Sequence, residues 1–350
     1  MRLALMTSEP LDVARGSGTA MALQRLRSAL ALRDVSTPVI SPRRHTGSHT
    51  VDRWLFNRDL RARDLDRYDA VLGVNGDGWQ VAGDLGVPFV VLLKAMYSRA
   101  AAYERSATAA VLRLHAHWER QGTRRADCVI APSHDAAASV IADYGADPAR
   151  TRVIPEPFDA AAWWDALPAR EKSGQRVLCV AHLYPRKQVA SLVDAWPLVT
   201  QQRPDARLDV VGDGPELRRI TQRAQHVPSV FLHGHIGHPH ILELYARADA
   251  FCLPSAQETF GYAAVEAMAS GLPLVLAADG ALAEITAGAV AEHVMVDDAS
   301  ALAAAIVRSL DPAVRARAAT ESPQRARSFT PESVADAMVE TVNELHRNKR

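Results

Sequence analysis

The sequence predicts an α/β protein made of two doubly wound, Rossmann-like domains. Its 350 residues suffice for two buried cores, and the composition, 48% hydrophobic and 23% charged, is that of an ordinary globular protein. Short apolar runs alternate with helical patterns along the chain, which is typical of a parallel sheet with right-handed crossovers. The runs are too many for one open sheet, so two sheets fit better.

The predicted strands are short runs rich in aliphatic residues, and a helical pattern follows most of them. In chain order they are Leu3–Met6, Ser36–Ile40, Ala70–Val74, Phe89–Leu93, Cys128–Ala131, Arg152–Ile154, Arg176–Val180, Arg207–Val211, Val230–Leu232, Ala250–Leu253 and Leu274–Ala277. The clearest helices run from Ala20 to Leu32, from Tyr262 to Ala269 and, with Thr330 as N-cap, from Pro331 to His346.

The boundary between the predicted domains lies in the segment Ile154–Asp159, which reads Ile-Pro-Glu-Pro-Phe-Asp. Its two prolines stiffen the backbone and prevent a helix from forming there. We therefore expect one domain over residues 1–157 and a second over residues 158–330.

Charge and cysteine content argue against several classes of protein. Lysine plus arginine and aspartate plus glutamate number 40 each, so nothing favours nucleic-acid binding. The three cysteines, Cys128, Cys179 and Cys252, lie in predicted strands, as reduced and packed thiols do, which predicts a cytoplasmic location. The N-terminus has the pattern of a strand rather than a signal peptide, and no uncharged apolar run is long enough to span a membrane.

The segment Gln257–Pro273 carries the strongest functional signal. It follows an apolar run with the pattern of a buried strand and continues into a predicted helix that ends near Gly271. Glu258 then lies in the loop at the carboxyl end of the strand, and Glu266 lies on the helix. A surface helix with two solvated glutamates is the plain alternative.

The groups of this segment together predict a kind of ligand. Free backbone amides near Phe260 and Gly261 favour an anion at the start of the helix. The two carboxylates need hydrogen-bond donors instead, and sugar hydroxyls supply them. A nucleotide-diphosphate sugar, with its hydroxyls, diphosphate and ribose, satisfies all of these groups.

The segment closely resembles the glutamate-x7-glutamate signature of retaining GT-B glycosyltransferases, family four in particular. The resemblance extends over most of the chain. It implies a GT-B fold in which two domains face a central cleft, the first binding the acceptor and the second the nucleotide sugar. It also implies a C-terminal helix, residues 331–347, that packs back on the first domain.

The resemblance assigns roles to residues of the segment. Glu258 would contact the donor sugar together with Thr259, Phe260 and Gly261, and Phe260 and Gly261 would also contact the donor phosphates. Glu266 would contact the nucleotide ribose.

A second constellation, Ala181–Lys187, follows the predicted strand Arg176–Val180 and should face the same crevice as Glu258. At this solvent-facing edge, Lys187 would hold the diphosphate and stabilise the leaving oxygen, a charge pair worth roughly 4 kcal/mol at 4 Å and a dielectric of 20. The family carries an arginine where this chain has His182. The missing charge would come from protonated His182 or from Arg186, and both alternatives stay open.

Two glycine loops also match the family. Gly16 and Gly18 would form the loop that closes over the donor phosphates, although an ordinary helix-entry loop is the alternative. As a dinucleotide-binding fingerprint this loop fails, because Met21 occupies the third glycine position. Gly212 and Gly214 match the family's Gly-x-Gly-Pro turn.

The first domain should bind the acceptor, and Asn75, Asp77, Trp79 and Lys94 follow two of its predicted strands. Asp77 and Trp79 would hold a cationic or polyhydroxyl acceptor, or would serve only the turn. Lys94 stands where many relatives carry a histidine close to the sugar.

The predicted function is retaining transfer of a sugar from a nucleotide-diphosphate sugar to a small-molecule, glycan or lipid-linked acceptor, with at most peripheral membrane contact. No cofactor or metal is expected, because the histidines do not pair with cysteines or carboxylates at ligand spacing. Two alternatives are a glycoside hydrolase that uses Glu258 and Glu266 as acid and base, and a non-catalytic nucleotide-sugar-binding protein.

Overall fold

The structure, a computed structural model, describes residues 1–11, 18–43, 46–169, 174–278 and 280–349. The chain divides into two compact units. The first consists of Met1–Pro157 together with Phe329–Arg350, and the second of Phe158–Ser328.

The first unit holds a parallel six-stranded sheet in the order β2-β1-β3-β4-β5-β6. Its strands are β1 (Leu3–Met6), β2 (Val39–Ile40), β3 (Ala70–Val74), β4 (Phe89–Leu92), β5 (Cys128–Ala131) and β6 (Thr151–Val153). Its helices include α1 (Gly18–Ala31), α2 (His49–Leu60), α3 (Tyr97–Ala100), α4 (Ser106–Arg125) and α5 (His134–Tyr144).

Both faces of this sheet are buried, as the alternation along β1 illustrates. Leu3 and Leu5 pack in a core with α1 and the C-terminal helix, whereas Ala4 and Met6 pack in a second core with α2 and α5. The C-terminal helix, Pro331–Lys349, packs against α1 in the first of these cores, and its Asp336 forms an ion pair at 2.5 Å with Arg33, just after α1.

The second unit holds another parallel six-stranded sheet, in the order β12-β11-β10-β7-β8-β9. Its strands are β7 (Arg176–Val180), β8 (Arg207–Val211), β9 (Val230–Gly234), β10 (Ala250–Leu253), β11 (Leu274–Ala277) and β12 (Ala291–Val294). Its helices are α6 (Ala160–Ala166), α7 (Val189–Gln202), α8 (Leu217–Ala224), α9 (His238–Arg247), α10 (Tyr262–Ala269), α11 (Ala281–Ile285), α12 (Ala299–Ser309) and α13 (Pro312–Ala326); the C-terminal helix is α14.

Each sheet has one point at which the chain order reverses. In the first sheet it lies between β1 and β3, and in the second between β7 and β10. Loops at the carboxyl ends of two such strands diverge to opposite faces and leave a crevice, where ligands bind in open α/β sheets. The two reversal points are therefore the places at which to look for a site.

The prediction of two doubly wound parallel sheets is confirmed, with two corrections to the strands. The predicted strand Ser36–Ile40 is reduced to Val39–Ile40, because Pro38 has no amide hydrogen to donate to a neighbour. The edge strand β12 was not predicted, since its four residues include Glu292 and His293 and lack a clear apolar run. Among the helices of the described ranges, none is long and apolar enough to cross a membrane.

Candidate functional site

Lys187 and Glu258 form a salt bridge at the reversal point of the second sheet. Lys187 follows β7 and Glu258 follows β10, and these strands are neighbours in the sheet. Only 12% of each side chain is exposed. The structure thus brings the two predicted catalytic residues together, but it corrects the expectation that Lys187 faces solvent, because Glu258 and the surrounding loops cover it.

The residue after Lys187 departs from the family pattern, which has a glycine where this chain has Gln188. Lys187 ends a short 3₁₀ turn, Pro185–Lys187, and the following Gln188 has a left-handed backbone with φ 52°. Glycine usually takes this conformation without strain. Here the Gln188 side chain donates to the Pro185 carbonyl at 3.0 Å and accepts from the Ser191 hydroxyl at 3.0 Å, which compensates for the strain.

Burial and the charge of Glu258 act in opposite directions on the pKa of Lys187. Burial lowers the pKa of its ammonium group, Glu258 opposes that change, and the neighbouring Arg186 adds to it. A lysine in this position has three hydrogens, of which Glu258 takes one. An anionic group on a ligand would therefore find a cation that is already oriented and only weakly solvated.

The loop after Glu258 presents the start of α10. Gly261 precedes the helix with φ 90°, and a Cβ atom on it would lie 2.6 Å from the Leu282 side chain, so only glycine fits. Phe260 is buried and its ring lies edge-on to Tyr262 at 5.3 Å, which anchors the loop. Thr259 lies half-buried between Glu258 and this anchor. Amides at the start of a helix favour an anion.

Glu266 lies in the second turn of α10 and is half-buried. Its Oε2 atom accepts a hydrogen bond from the Tyr245 hydroxyl at 3.3 Å. Tyr245 is fully buried on α9, and its single hydroxyl hydrogen is shared between Glu266 and the Ala263 carbonyl oxygen, which lies 3.1 Å away. Sequence reasoning did not single out Tyr245, because an aromatic residue at this spacing is typical of a helix core.

His182 and Arg186 flank one aromatic ring. The His182 ring lies 6.1 Å from the Tyr184 ring, and the Arg186 guanidinium lies 5.1 Å from it. Both candidate cations therefore lie in the loop that carries Lys187. This arrangement leaves open which of them supplies the charge of the family's arginine.

Gly212 and Gly214, in the loop after β8, allow the loop of His182 after β7 to pack closely against them. A Cβ atom on Gly212 would lie 1.8 Å from the Ala181 carbonyl oxygen, and one on Gly214 would lie 2.8 Å from the Leu183 carbonyl oxygen. The Leu183 amide also donates to the Asp213 carbonyl at 2.9 Å. The Gly-x-Gly-Pro turn thus has a positioning role. In the first unit, Gly18 begins α1 with open space around it, and Gly16 lies outside the described residues.

Asp77 is at the centre of a buried network at the reversal point of the first sheet. Its carboxylate accepts from the Ser8 amide at 2.5 Å and hydroxyl at 2.8 Å, from Arg53 Nε at 3.2 Å and from Asn57 Nδ2 at 3.0 Å. Asp77 is 1% exposed and Arg53 is fully buried. Because both carboxylate oxygens are taken up by the chain itself, the geometry favours the structural role of Asp77 over acceptor binding.

Asn75 and Lys94 are also held by the chain. Asn75 has a left-handed backbone with φ 54°; its Oδ1 atom accepts from the Lys94 amide at 2.9 Å, and its Nδ2 atom donates to Glu9 Oε1 at 3.0 Å. Lys94 forms a buried ion pair with Glu156 at 2.6 Å. Glu9 also accepts from the Tyr97 hydroxyl at 3.0 Å. Glu9 was missed in the sequence, where its position directly after β1 was the available signal.

Trp79 and Glu119 lie next to this network. The Trp79 ring stacks on Trp118, with centroids 5.7 Å apart. Glu119 accepts from the Tyr97 amide at 3.1 Å and from the Tyr144 hydroxyl. Burial raises the pKa of Glu119 to about 7, although these hydrogen bonds and Arg53 oppose the change. Glu119 therefore belongs to the scaffold, as an ionisable part of it.

Two models of one glycosyltransferase group match the chain. The model described as Glycosyl transferases group 1 matches residues 174–311. The model described as Glycosyltransferase Family 4 matches residues 13–162. Together they extend over most of both units.

Several characterised proteins are similar in sequence. Glycogen synthase of Mycobacterium tuberculosis is 31% identical over 233 residues, which is 65% of this chain and 56% of the synthase. The chain thus matches little more than half the length of that relative. A lipopolysaccharide core biosynthesis mannosyltransferase of Rhizobium meliloti, LpsB, is 29% identical over 69% of this chain and 72% of its own length.

Solved structures show the same fold over nearly the whole chain. Sucrose-phosphate synthase from Thermosynechococcus elongatus superposes with a TM-score of 0.79 at 23% identity, covering 99% of each chain. Anabaena HepE, in complex with UDP and glucose, superposes with a TM-score of 0.74 at 20% identity, covering 98% of this chain and 99% of its own. The fold is therefore of the GT-B type, and the chain belongs to the family-4 glycosyltransferases.

Proposed function

We propose that this protein is a retaining glycosyltransferase that moves a sugar from a nucleotide-diphosphate sugar to an acceptor hydroxyl. The observation that carries the proposal is the Lys187–Glu258 ion pair at the reversal point of the second sheet, beside the glycine-initiated start of α10. A cation, helix amides and carboxylates at one crevice suit a ligand that has both phosphates and hydroxyls. The complex of the similar HepE with UDP and glucose supports the same class of donor.

In this proposal Lys187 stabilises the charge that develops on the leaving diphosphate. Glu258 orients the ammonium group, so that little reorganisation is needed as the glycosidic bond breaks. Glu258 and Thr259, with the amides of Phe260 and Gly261, hold the donor sugar. His182 or Arg186 adds the second positive charge, so that the proposed reaction needs no bound metal.

The remaining donor and acceptor roles follow from the same proposal. Glu266 binds the ribose, with Tyr245 fixing one carboxylate oxygen. The donor-phosphate role of Gly16 and Gly18 stays a prediction of the family resemblance. The acceptor binds at the carboxyl edge of the first sheet, where Glu9 is a better candidate than Asp77, because the hydrogen bonds that it accepts from other side chains of the described ranges, those of Asn75 and Tyr97, share one oxygen, Oε1. The acceptor hydroxyl attacks the sugar from the face that the diphosphate leaves, and the leaving diphosphate takes the proton of that hydroxyl.

We also propose a cytoplasmic location, because free cysteines in buried positions, Cys128, Cys179 and Cys252, are typical of a reducing compartment. A glycoside hydrolase is less well supported. A general acid must donate a proton to the leaving oxygen, whereas Glu258 accepts a hydrogen bond from Lys187. A hydrolase would also make no use of the anion-binding amides at the start of α10.

A donor screen tests the proposal. Thermal shift and calorimetry with UDP-, GDP-, ADP- and dTDP-sugars should identify one nucleotide that stabilises the protein. Release of that nucleoside diphosphate should then depend on an acceptor from a panel of sugars, glycosides and lipid-linked sugars. Lys187→Ala should weaken this binding. The matched control Arg218→Ala, which removes an exposed cation of the same unit, should not. Hydrolysis of an aryl glycoside without nucleotide would favour the hydrolase, and binding without turnover would favour a non-catalytic protein.

A further inference from the structure

Three strands of the first sheet are each followed, three residues after the strand ends, by an acidic residue. These residues are Glu9 after β1, Asp77 after β3 and Glu156 after β6. Asp77 pairs with Arg53 at 3.2 Å, and Glu156 pairs with Lys94 at 2.6 Å. Glu9 forms no ion pair with the residues that the structure describes. The carboxyl edge of the sheet therefore presents one carboxylate that the described residues leave without a cationic partner.

The hydrogen-bond partners of Glu9 are neutral. Its Oε1 atom accepts from Asn75 Nδ2 and from the Tyr97 hydroxyl, both at 3.0 Å. Asn75 is fixed because its Oδ1 atom accepts from the Lys94 amide at 2.9 Å, and Tyr97 is fixed because its amide donates to Glu119 at 3.1 Å. Neutral donors orient a carboxylate without neutralising it. Glu9 is half-buried, and its other oxygen, Oε2, accepts no hydrogen bond from a side chain of the described ranges.

Arg53 and His115, the basic groups of the same network, do not supply the missing charge. Arg53 donates through Nε to Asp77, and its Nη1 atom lies 3.4 Å from His115 Nδ1. Burial opposes the positive charge of Arg53, but the anions around it, Asp77 and Glu9 among them, hold its pKa above the ordinary value. Burial also lowers the pKa of His115 to about 3, so its ring is neutral near neutral pH. Two carboxylates, those of Asp77 and Glu9, therefore face one guanidinium group.

The outer oxygen of Glu9 defines what a ligand must supply. Oε2 needs a hydrogen-bond donor, and the carboxylate needs a positive charge. A sugar hydroxyl supplies only the donor, whereas an ammonium group supplies both, and hydrogen bonds between charged groups are roughly twice as strong as neutral ones. Partial burial strengthens such an ion pair further, because the local dielectric is lower than that of water. A phosphorylated or otherwise anionic ligand would be repelled.

We propose that the acceptor is a polyhydroxylated amine, such as an amino sugar or an aminocyclitol, whose ammonium group donates to Glu9 Oε2. One of its hydroxyls receives the transferred sugar, while Asn75 and Tyr97 hold the carboxylate in place. The inference rests on the proposed function, which puts the acceptor at the carboxyl edge of the first sheet, and it adds the chemical class of that acceptor. It also makes Glu9 a specificity residue, because a neutral sugar gains no ion pair there.

Ligand-observed NMR on the full chain tests the inference with matched pairs of ligands. Glucosamine, galactosamine and 2-deoxystreptamine are each compared with their N-acetylated derivatives, which lack the positive charge. The wild type should bind at least one of the amines about tenfold more tightly than its acetylated form. Glu9→Gln should weaken binding of that amine by about tenfold, because an ion pair becomes a neutral contact, and should leave binding of the acetylated form unchanged. The variant thereby separates the effect of charge from the bulk of the acetyl group.

Glu9→Gln should fold normally, because a glutamine Oε1 can still accept from Asn75 and Tyr97. The matched control Glu340→Gln removes an exposed carboxylate of the same unit and should keep the preference for the amine. The inference is wrong if no amine is preferred, if Glu9→Gln keeps the preference, or if Glu340→Gln loses it to the same degree. Sugar transfer to neutral acceptors in preference to amines would also overturn it and would leave the proposed function standing. Failure of the proposed function is a different result, since it appears as absence of nucleoside diphosphate binding.

Discussion

The two sheets each bring polar side chains together where the strand order reverses, but the two places are built differently. At the first, Ser8 follows β1 and Asp77 follows β3, and Arg53 and Asn57 from α2 complete a buried network around the Asp77 carboxylate. At the second, Lys187 pairs with Glu258 in a loop that ends at the start of α10.

The difference separates a structural network from a site. Both Asp77 oxygens already accept hydrogen bonds from the chain, so a ligand that bound this carboxylate would have to displace the chain's own side chains. Around Lys187, Glu258 takes one hydrogen of the ammonium group, and the guanidinium group of Arg186 and the amides at the start of α10 are further groups that an anion can bind. Two ionisable clusters at equivalent topological positions therefore do not imply two functional sites.

The largest effect should come from breaking the first network. Asp77→Ala leaves Arg53 buried without its anion, which should lower the free energy of unfolding by about 3–5 kcal/mol. Urea denaturation measures this loss, and Asp64→Ala, at an exposed position of the same unit, is the control. A loss no larger than that of the control would show that Asp77 is not the structural centre.

The second effect should be on turnover. Lys187→Ala should reduce kcat/KM by on the order of 10²–10³, about 3–4 kcal/mol, because a donor to the transition state is lost. Lys94→Ala is a matched control, since it also removes the lysine of a buried Lys–Glu pair, in the first unit. It should lower stability but keep kcat/KM of the folded protein within a few-fold of the wild type. Near wild-type turnover in Lys187→Ala would contradict the assignment.

The third effect should be a pH dependence that belongs to the first unit. The pKa of Glu119 is raised from 4.5 to about 7 in the folded chain, so between these values the folded state holds a proton that the unfolded state has lost. Stability should therefore fall by roughly 3 kcal/mol as pH rises through this range. Glu119→Gln should abolish most of that slope, whereas Glu340→Gln, at an exposed position, should keep it. An unchanged slope in Glu119→Gln would show that another group titrates.

A smaller effect should separate the two glutamates of the second unit. Glu266→Gln should weaken binding of the free nucleoside diphosphate by about tenfold, because a charged hydrogen bond to the ribose is lost. Glu258→Gln should impair sugar transfer while the free nucleotide still binds. Calorimetry with the nucleotide alone distinguishes them, and equal loss in both variants contradicts the division of roles.

The smallest effect should come from His182. If its ring stands in for the family's arginine, His182→Arg should tighten donor binding by a few-fold, because it places a permanent charge there. Arg186→Ala should then change donor affinity little. Calorimetry of both variants decides, and a loss in Arg186→Ala with no gain in His182→Arg would assign the role to Arg186.

The sequence predicted what depends on local pattern and on general rules of topology. The strands ending before Lys187 and Glu258 were evident as apolar runs, and the rule for carboxyl ends of parallel strands then placed both residues at one crevice. The partners of Asp77 could not be predicted in the same way. Arg53 lies on α2 and Ser8 follows β1, and nothing in the local sequence of either indicates that the fold brings them to Asp77.

Burial also could not be read from residue types. Lysine and glutamate usually lie at the surface, and only the packed structure shows that Lys94 and Glu156 form a buried pair. For the same reason Lys187 was expected at a solvent-facing edge. Glu9 and Tyr245 were missed because a lone acid after a strand and an aromatic residue on a helix are common in any α/β protein.

Calorimetric titration of the nucleoside diphosphate identified in the donor screen, into three proteins, tests the central claim most directly. The account predicts that the wild type and Lys94→Ala bind with equal affinity, and that Lys187→Ala binds at least about tenfold more weakly. That pattern would assign the donor to the reversal point of the second sheet. Equal affinity in Lys187→Ala, or a loss confined to Lys94→Ala, would contradict it.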